Sequence, residues 1–197
     1  IGVSFKSLVN VDKKEMDSLS QKTKEFGCSP SKNHYLKTRD QISKIDVDPS
    51  IYSLRSAGGH IHLGCDNHSL LLNILHDYKR IIPMMDIIVG NTCVMLDPSP
   101  EQKERRKCYG RAGEYREKEY GVEYRVLSNF WLKNYSLMSF VMGLSRLAVN
   151  IVASSNREVS YWIDSYHLDK QKSTDFFAEI MELVDIEDIK RAINENN

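Results

Sequence analysis

Arg55-Ser56-Ala57-Gly58-Gly59-His60-Ile61-His62-Leu63-Gly64 is the stretch on which the reading of this chain turns. Alternate side chains of an extended strand share a face, so His60 and His62 point one way while Ile61 and Leu63 point into a core. Val122-Glu123-Tyr124-Arg125-Val126 repeats the design, with Glu123 and Arg125 on one face and Val122, Tyr124 and Val126 on the other. Two such strands predict a sheet with imidazole, carboxylate and guanidinium on one side and aliphatic residues behind it.

Working outward, residues 51–54 lead into the first motif as one strand, bulged at Gly58-Gly59. Residues 3–11 have strand propensity and are followed by a predicted helix over 13–26, ended by Gly27. Gly27 to Ser31 is turn chemistry, and residues 32–50 read as loop. Asp66-Asn67 is placed to cap a helix over 69–89, where Leu71, Ile74, Leu75, Tyr78, Ile81, Ile82 and Met85 keep helical spacing. Pro83 should kink or break it. A short charged helix is expected over 101–107 and a glycine-punctuated loop over 109–120. Residues 135–154 form a strongly apolar helix, expected to be the most buried one. Two amphipathic helices are expected from Ser173 onward, with Ser173 and Asp185 as caps. The fold class is α+β, few strands with helices packed on one face of the sheet.

A chain of 197 residues, 41% hydrophobic and 27% charged, is large enough for one domain with a real core and small for two. Its formal net charge of zero argues against a non-specific nucleic-acid binder or a generally basic membrane surface. Cys28, Cys65, Cys93 and Cys108 form no C-x-x-C pair, so reduced thiols in a cytoplasmic setting are expected. The run 81–89 is interrupted by Pro83 and Asp86, so no apolar run is read as spanning a membrane, and no signal peptide is recognised.

Three groups of residues could carry chemistry. Imidazoles on one strand face suit a divalent cation, or a cation and a phosphate; a structural pair of histidines in a turn is the plain alternative. Glu123 with Arg125 reads as a surface ion-pair row or, beside His60, as a mixed site for Mg²⁺ or Mn²⁺. Arg105, Arg106, Arg111 and Arg116 surround Tyr109-Gly110 and Gly113. Guanidinium forks grip phosphate and carboxylate oxygens, although Glu101, Glu104, Glu114, Glu117 and Glu119 could equally make this a solvated charged loop. His34, His68, His76 and His167 are read as bystanders. No G-x-x-x-x-G-K-[ST] or G-x-G-x-x-G loop is present, so a nucleotide would be held by metal and arginine.

The set Gly58 to Gly64 (G-G-H-I-H-L-G), Arg105 to Arg116 (R-R-K-C-Y-G-R-A-G-E-Y-R) and Tyr120 to Trp131 (Y-G-V-E-Y-R-V-L-S-N-F-W) resembles the phage-type carboxylate–amine ligases of the glutamine synthetase-like superfamily. The Gly27-Cys28-Ser29-Pro30 turn is similar to a segment preceding the G-G-H-x-H strand in that family. The resemblance implies a glutamine synthetase-like catalytic sheet and an ATP-dependent amidoligase. In it a carboxylate is phosphorylated and an amine attacks the acyl phosphate. It further implies His60 and Glu123 as metal ligands for Mg²⁺ or Mn²⁺, and His62, Arg105 and Arg106 near ATP. Arg125, Arg111 and Arg116 would act at the reacting groups, and Gly58, Gly59 and Arg55 would line the substrate. The substrates would be a small-molecule or peptide carboxylate and an amine, in the host cytoplasm if phage-encoded, with no nucleic acid or membrane partner and with a homo-oligomer left open. Residues 1–197 are expected to form a single ligase domain without the family's acidic N-terminal strands, and the cysteine turn continues with Ser29-Pro30-Ser31 where relatives carry acids. A non-catalytic binding or inhibitory protein on a degenerate ligase scaffold is the rival reading.

Overall fold

The computed structural model describes residues 5–24, 31–36, 53–66 and 70–154. In chain order these form β1 (Leu8–Asn10), α1 (Lys13–Ser18), α2 (Gln21–Lys24), β2 (Lys32–Asn33), β3 (Leu54–Ser56), β4 (Ile61–Gly64), α3 (Leu70–His76) and α4 (Tyr78–Met85). A π-helical segment (Asp86–Gly90) then leads into α5 (Asn91–Leu96), α6 (Pro100–Cys108), β5 (Glu114–Lys118), β6 (Gly121–Tyr124), a 3-10 turn (Phe130–Lys133) and α7 (Tyr135–Ser154). The class is α+β, as the pattern predicted. The expected helices beyond Ser173, and Cys28, His68 and His167, lie outside the described residues.

One antiparallel sheet has the order β2-β5-β6-β4, and β1 pairs with β3 in a separate two-stranded sheet. Register explains its two characters. Ile61, Tyr124 and Tyr115 lie side by side across three strands, and the next row is His62, Glu123 and Arg116. Because strand side chains alternate, the first row faces the helices and the second faces away. Ile61, Tyr115, Val122 and Tyr124 are buried in the same apolar cluster as Ile81, Ile82, Met85 and Ile88 of α4 and the π segment.

Several expected elements differ. The helix predicted over 13–26 is two pieces, because Leu19 is extended and Ser20 restarts the chain as a local cap, its Oγ accepting from Thr23 N at 3.3 Å. The helix predicted over 69–89 breaks before Tyr78 rather than at Pro83: Asp77 leaves the helical region with ψ 72°. Pro83 is accommodated inside α4, and the wider π turn follows directly. Residues 54–64 are not one bulged strand, since Leu54–Ser56 and Ile61–Gly64 join different sheets. The loop expected over 109–120 contains β5, which hairpins into β6.

Helix α7 is apolar but not the most buried helix. Leu137, Val141, Leu144, Ala148 and Val152 line its inner face, while Tyr135, Met138 and Met142 are exposed. The most buried stretch is 81–90, every residue of which is buried. It lies between the sheet's apolar face and α7 and so loses solvent on both sides. Contrary to the reading that no run reaches spanning length, Tyr135–Ser154 is by length and composition the one helix among the described residues able to cross a membrane, and 33% of its apolar window is buried within the fold.

Candidate active site

The polar face of the four-stranded sheet is organised by one carboxylate. Glu123 sits in mid-strand on β6 and is only 3% exposed. His60 Nδ1 lies 3.0 Å from its Oε1, and Arg125 Nη1 donates a short hydrogen bond to the same oxygen. Arg116 Nη1 at 3.4 Å and Lys118 Nζ at 3.1 Å approach Oε2. Strand alternation explains this gathering: Arg116 and Lys118 are i and i+2 on β5, and Arg125 follows Glu123 by two. Burial opposes ionisation of Glu123, but the Lys118 hydrogen bond and the charges of Arg125 and Arg116 outweigh it, so the carboxyl is held below its ordinary range.

His60 is bound at both ring nitrogens. Its Nδ1–H donates to Glu123, and its Nε2 accepts from the hydroxyl of Tyr109. Tyr109 in turn accepts from Arg125 Nη2 at 2.9 Å. Arg125, 1% exposed, also donates through Nε to Ser31 Oγ at 2.9 Å. Burial pushes the His60 imidazole down to about 4, with Arg125 adding to the effect and Glu123 opposing it. The ring is therefore neutral at pH 7, as its acceptor role at Nε2 requires. His62 is more open and meets the Tyr120 hydroxyl through Nδ1 at 2.6 Å.

Of the residues expected here, His60, His62, Glu123, Arg125 and Arg116 are brought together. Arg55, Arg105, Arg106 and Arg111 are placed elsewhere, and Gly58 abuts His60 and Tyr109 of the cluster. Arg105 is 1% exposed; it donates to Gln102 Oε1 at 3.1 Å and to the Val126 carbonyl, tying α6 to the end of β6. Arg111 donates to the carbonyls of Arg106 and Lys107, closing the C-terminal turn of α6. Arg106 lines a small cleft with Asp97, Gln102 and Ser128. Arg55 lies in the two-stranded sheet and donates to the Lys24 and Leu54 carbonyls, each at 3.1 Å. Gly58 and Gly59 are pressed by the protein itself: a Cβ at Gly58 would lie 2.8 Å from His60 Nε2, and one at Gly59 would lie 2.4 Å from Trp131 Nε1.

Lys118, Tyr109, Tyr120 and Ser31 complete the cluster, and none of them is among the candidate site residues from the sequence. Lys118 was detectable, since the alternation that selects Arg116 selects residue 118 as soon as 114–118 is taken as strand. Tyr109 was not, because its position depends on how α6 ends against the sheet.

Among the described residues no group of three His, Cys, Asp or Glu side chains could hold a metal ion. Glu123 directs both oxygens at cations and His60 has both nitrogens engaged, so these donors do not fit a metal cage made by this face alone. What the arrangement does offer is fixed positive charge around a buried carboxylate, the environment that stabilises oxyanions.

A family model described as phage phiEco32-like COOH.NH2 ligase-type 2 matches residues 50–192. No curated protein matches the chain, and no solved structure does.

Proposed function

Since the chain belongs to the phage phiEco32-like COOH.NH2 ligase-type 2 family, we propose that it joins a carboxylate to an amine at the expense of ATP, on a glutamine synthetase-like sheet whose polar face is the active site. The observation that carries this reading is the convergence of Arg116, Lys118, Arg125 and His60 on Glu123. In this reading ATP supplies the phosphoryl group: a carboxylate oxygen bonds to the γ-phosphorus as the bond to the ADP oxygen breaks. The amine nitrogen then bonds to the acyl carbon, phosphate leaves, and the amine gives up a proton.

Negative charge rises on phosphoryl oxygens in the first step and on the acyl oxygen in the second. Preorganised cations stabilise both without having to reorient. Arg125 suits this because Ser31, Tyr109 and Glu123 fix its fork. Arg116 and Lys118, at 29% and 27% side-chain exposure, are open enough to meet a ligand. Mg²⁺ or Mn²⁺ belongs to the proposal as an ion carried on the ATP phosphates, which is how Mg²⁺ is commonly held in phosphoryl-transfer sites. The setting is the host cytoplasm, and the substrates are a small or peptide carboxylate and an amine.

The test is ADP release from Mg²⁺-ATP across a panel of carboxylates and amines, for wild type and Arg125→Met. ADP release that needs both substrates and falls at least 100-fold in the variant supports the reading. Folded wild-type protein that neither binds Mg²⁺-ATP nor releases ADP overturns it and favours the non-catalytic rival.

A further inference from the structure

Helix α7 is apolar on two sides, and only one side is spent on the core. Leu137, Val141, Leu144, Ala148 and Val152 are buried, and the helix packs against α3, α4 and the π segment. On the outer side Tyr135, Met138, Met142 and Arg146 recur three or four residues apart and so form one stripe. Tyr135 is 81% and Met142 47% exposed. Single exposed apolar residues need no explanation, but a continuous stripe of them marks a docking face. From Phe130 to Ser154 the only charged side chains are Lys133 and Arg146, both exposed, so the charge beside the stripe is of one sign.

The chain holds the complement of this face in its own sequence. Residues 174–184, T-D-F-F-A-E-I-M-E-L-V, place Phe176, Phe177, Ile180, Met181 and Val184 on one side at helical period, with Asp175, Glu179 and Glu182 on the other. Residues 173–189 carry six acids and no Lys or Arg, opposite in sign to Lys133 and Arg146. The connection over 155–173 can extend to about 65 Å, twice the roughly 30 Å length of a 20-residue helix such as α7, so the segment can return to any point of the stripe. The family match runs through residue 192, which includes this segment in the unit the family shares.

We propose that the outer stripe of α7 is the docking face for residues 174–184 of the same chain, which lie on it as an amphipathic helix. This is independent of the ligase reading. Two other occupants suit the face less well. A membrane-crossing α7 would have to withdraw Leu137, Val141 and Leu144 from the core. A two-fold pairing with a second copy would set Lys133 and Arg146 against a helix that carries no acid.

The experiment is hydrogen–deuterium exchange on the full chain, comparing wild type with Met142→Asp, Phe177→Asp and Arg146→Glu. Peptides from α4 report whether the core stays closed. Amides of 174–184 should be protected in wild type, and Met142→Asp and Phe177→Asp should each speed their exchange at least about tenfold. Arg146→Glu should speed it about threefold, an effect that salt weakens. Should Met142→Asp also open α4, Phe177→Asp and Arg146→Glu still decide, because neither position belongs to the described core. Exchange at 174–184 as fast as in an unstructured peptide, or unmoved by all three substitutions, overturns the proposal. So does a wild-type dimer that Met142→Asp splits while exchange at 174–184 is unaltered, which assigns the stripe to a second copy. Co-sedimentation with phosphatidylglycerol vesicles that Met142→Asp abolishes, again with unaltered exchange, overturns it in favour of a lipid surface.

Discussion

Replacing Glu123 by Gln should destabilise the fold while tightening its hold on anions. The carboxylate is 3% exposed and is the common partner of Arg116, Lys118, Arg125 and His60. Glutamine keeps the volume and one acceptor oxygen but removes the charge, and it points an amide donor at one of the groups that donated to Glu123. Removing one partner of a buried ion pair commonly costs about 3–5 kcal/mol. Since Arg116 and Lys118 can turn toward solvent while Arg125 cannot, a loss near the lower end, about 3 kcal/mol, is expected at pH 7. The loss should depend on pH. The Glu123 carboxyl is held below its ordinary 4.5, so the stability it contributes is fully present above that ordinary value. It disappears as pH falls through the lowered folded-state value. Urea unfolding of wild type and Glu123→Gln from pH 8 down to pH 3 should therefore show two curves that run apart above pH 5 and converge in acid. Phosphate, in turn, should raise the variant's midpoint more than that of wild type. A variant as stable as wild type at pH 7, or a gap of the same size at both ends of the pH range, would refute the view of Glu123 as the charged hub of this face.

Three other perturbations test separate parts of the structure. Burial pushes Asp86 up to about 6 from 3.8, although Tyr124 donates to it at 2.6 Å, and Tyr35 and Glu114 are the other titratable groups acting on it. A raised carboxyl costs stability as pH rises through that window, at most about 3 kcal/mol for a shift near two units. Wild type should thus weaken between pH 4 and 6.5 relative to Asp86→Asn, and a pH-independent difference in thermal unfolding would argue against a buried charge there. Gly59→Ala places a Cβ 2.5 Å from the backbone oxygen of Ser128, which cannot swing away, and should cost about 2–3 kcal/mol in urea unfolding; an unchanged midpoint would mean the 58–60 turn is looser than described. Arg105→Lys loses the bonds to Gln102 Oε1 and the Val126 carbonyl and should lower the melting temperature by several degrees. Its phosphate affinity should match wild type, and a large fall in affinity with no change in melting would return Arg105 to the ligand site.

Much of the site was legible because a strand has a period of two. That period alone assigns His62 and Glu123 to one face and Ile61, Val122 and Tyr124 to the other, and the register of β4 and β6 agrees. Strand β5 was missed for the same physical reason that makes it useful. Glu114-Tyr115-Arg116-Glu117-Lys118 carries a charge at every position but one, so no hydrophobic alternation marks it. Its strand conformation comes from pairing with β6 and from the burial of Tyr115, its one apolar side chain. Arg105, by contrast, looked like a surface cation in a charged helix and is among the most buried side chains in the protein.

By itself, then, the sequence determined the mixed fold class, the chemical character of each sheet face and the family, since these depend on local periodicity and on short motifs. Only the tertiary structure decided which cations reach Glu123. Residues 60 and 123 meet because β4 and β6 are neighbours in one register. Arg116 and Lys118 join them because a tight hairpin sets β5 against β6. Arg105 and Arg111 are diverted by the carbonyls at the ends of β6 and α6. A guanidinium goes to whichever acceptors packing leaves unpaired, and that is a property of the assembled fold rather than of any stretch of chain.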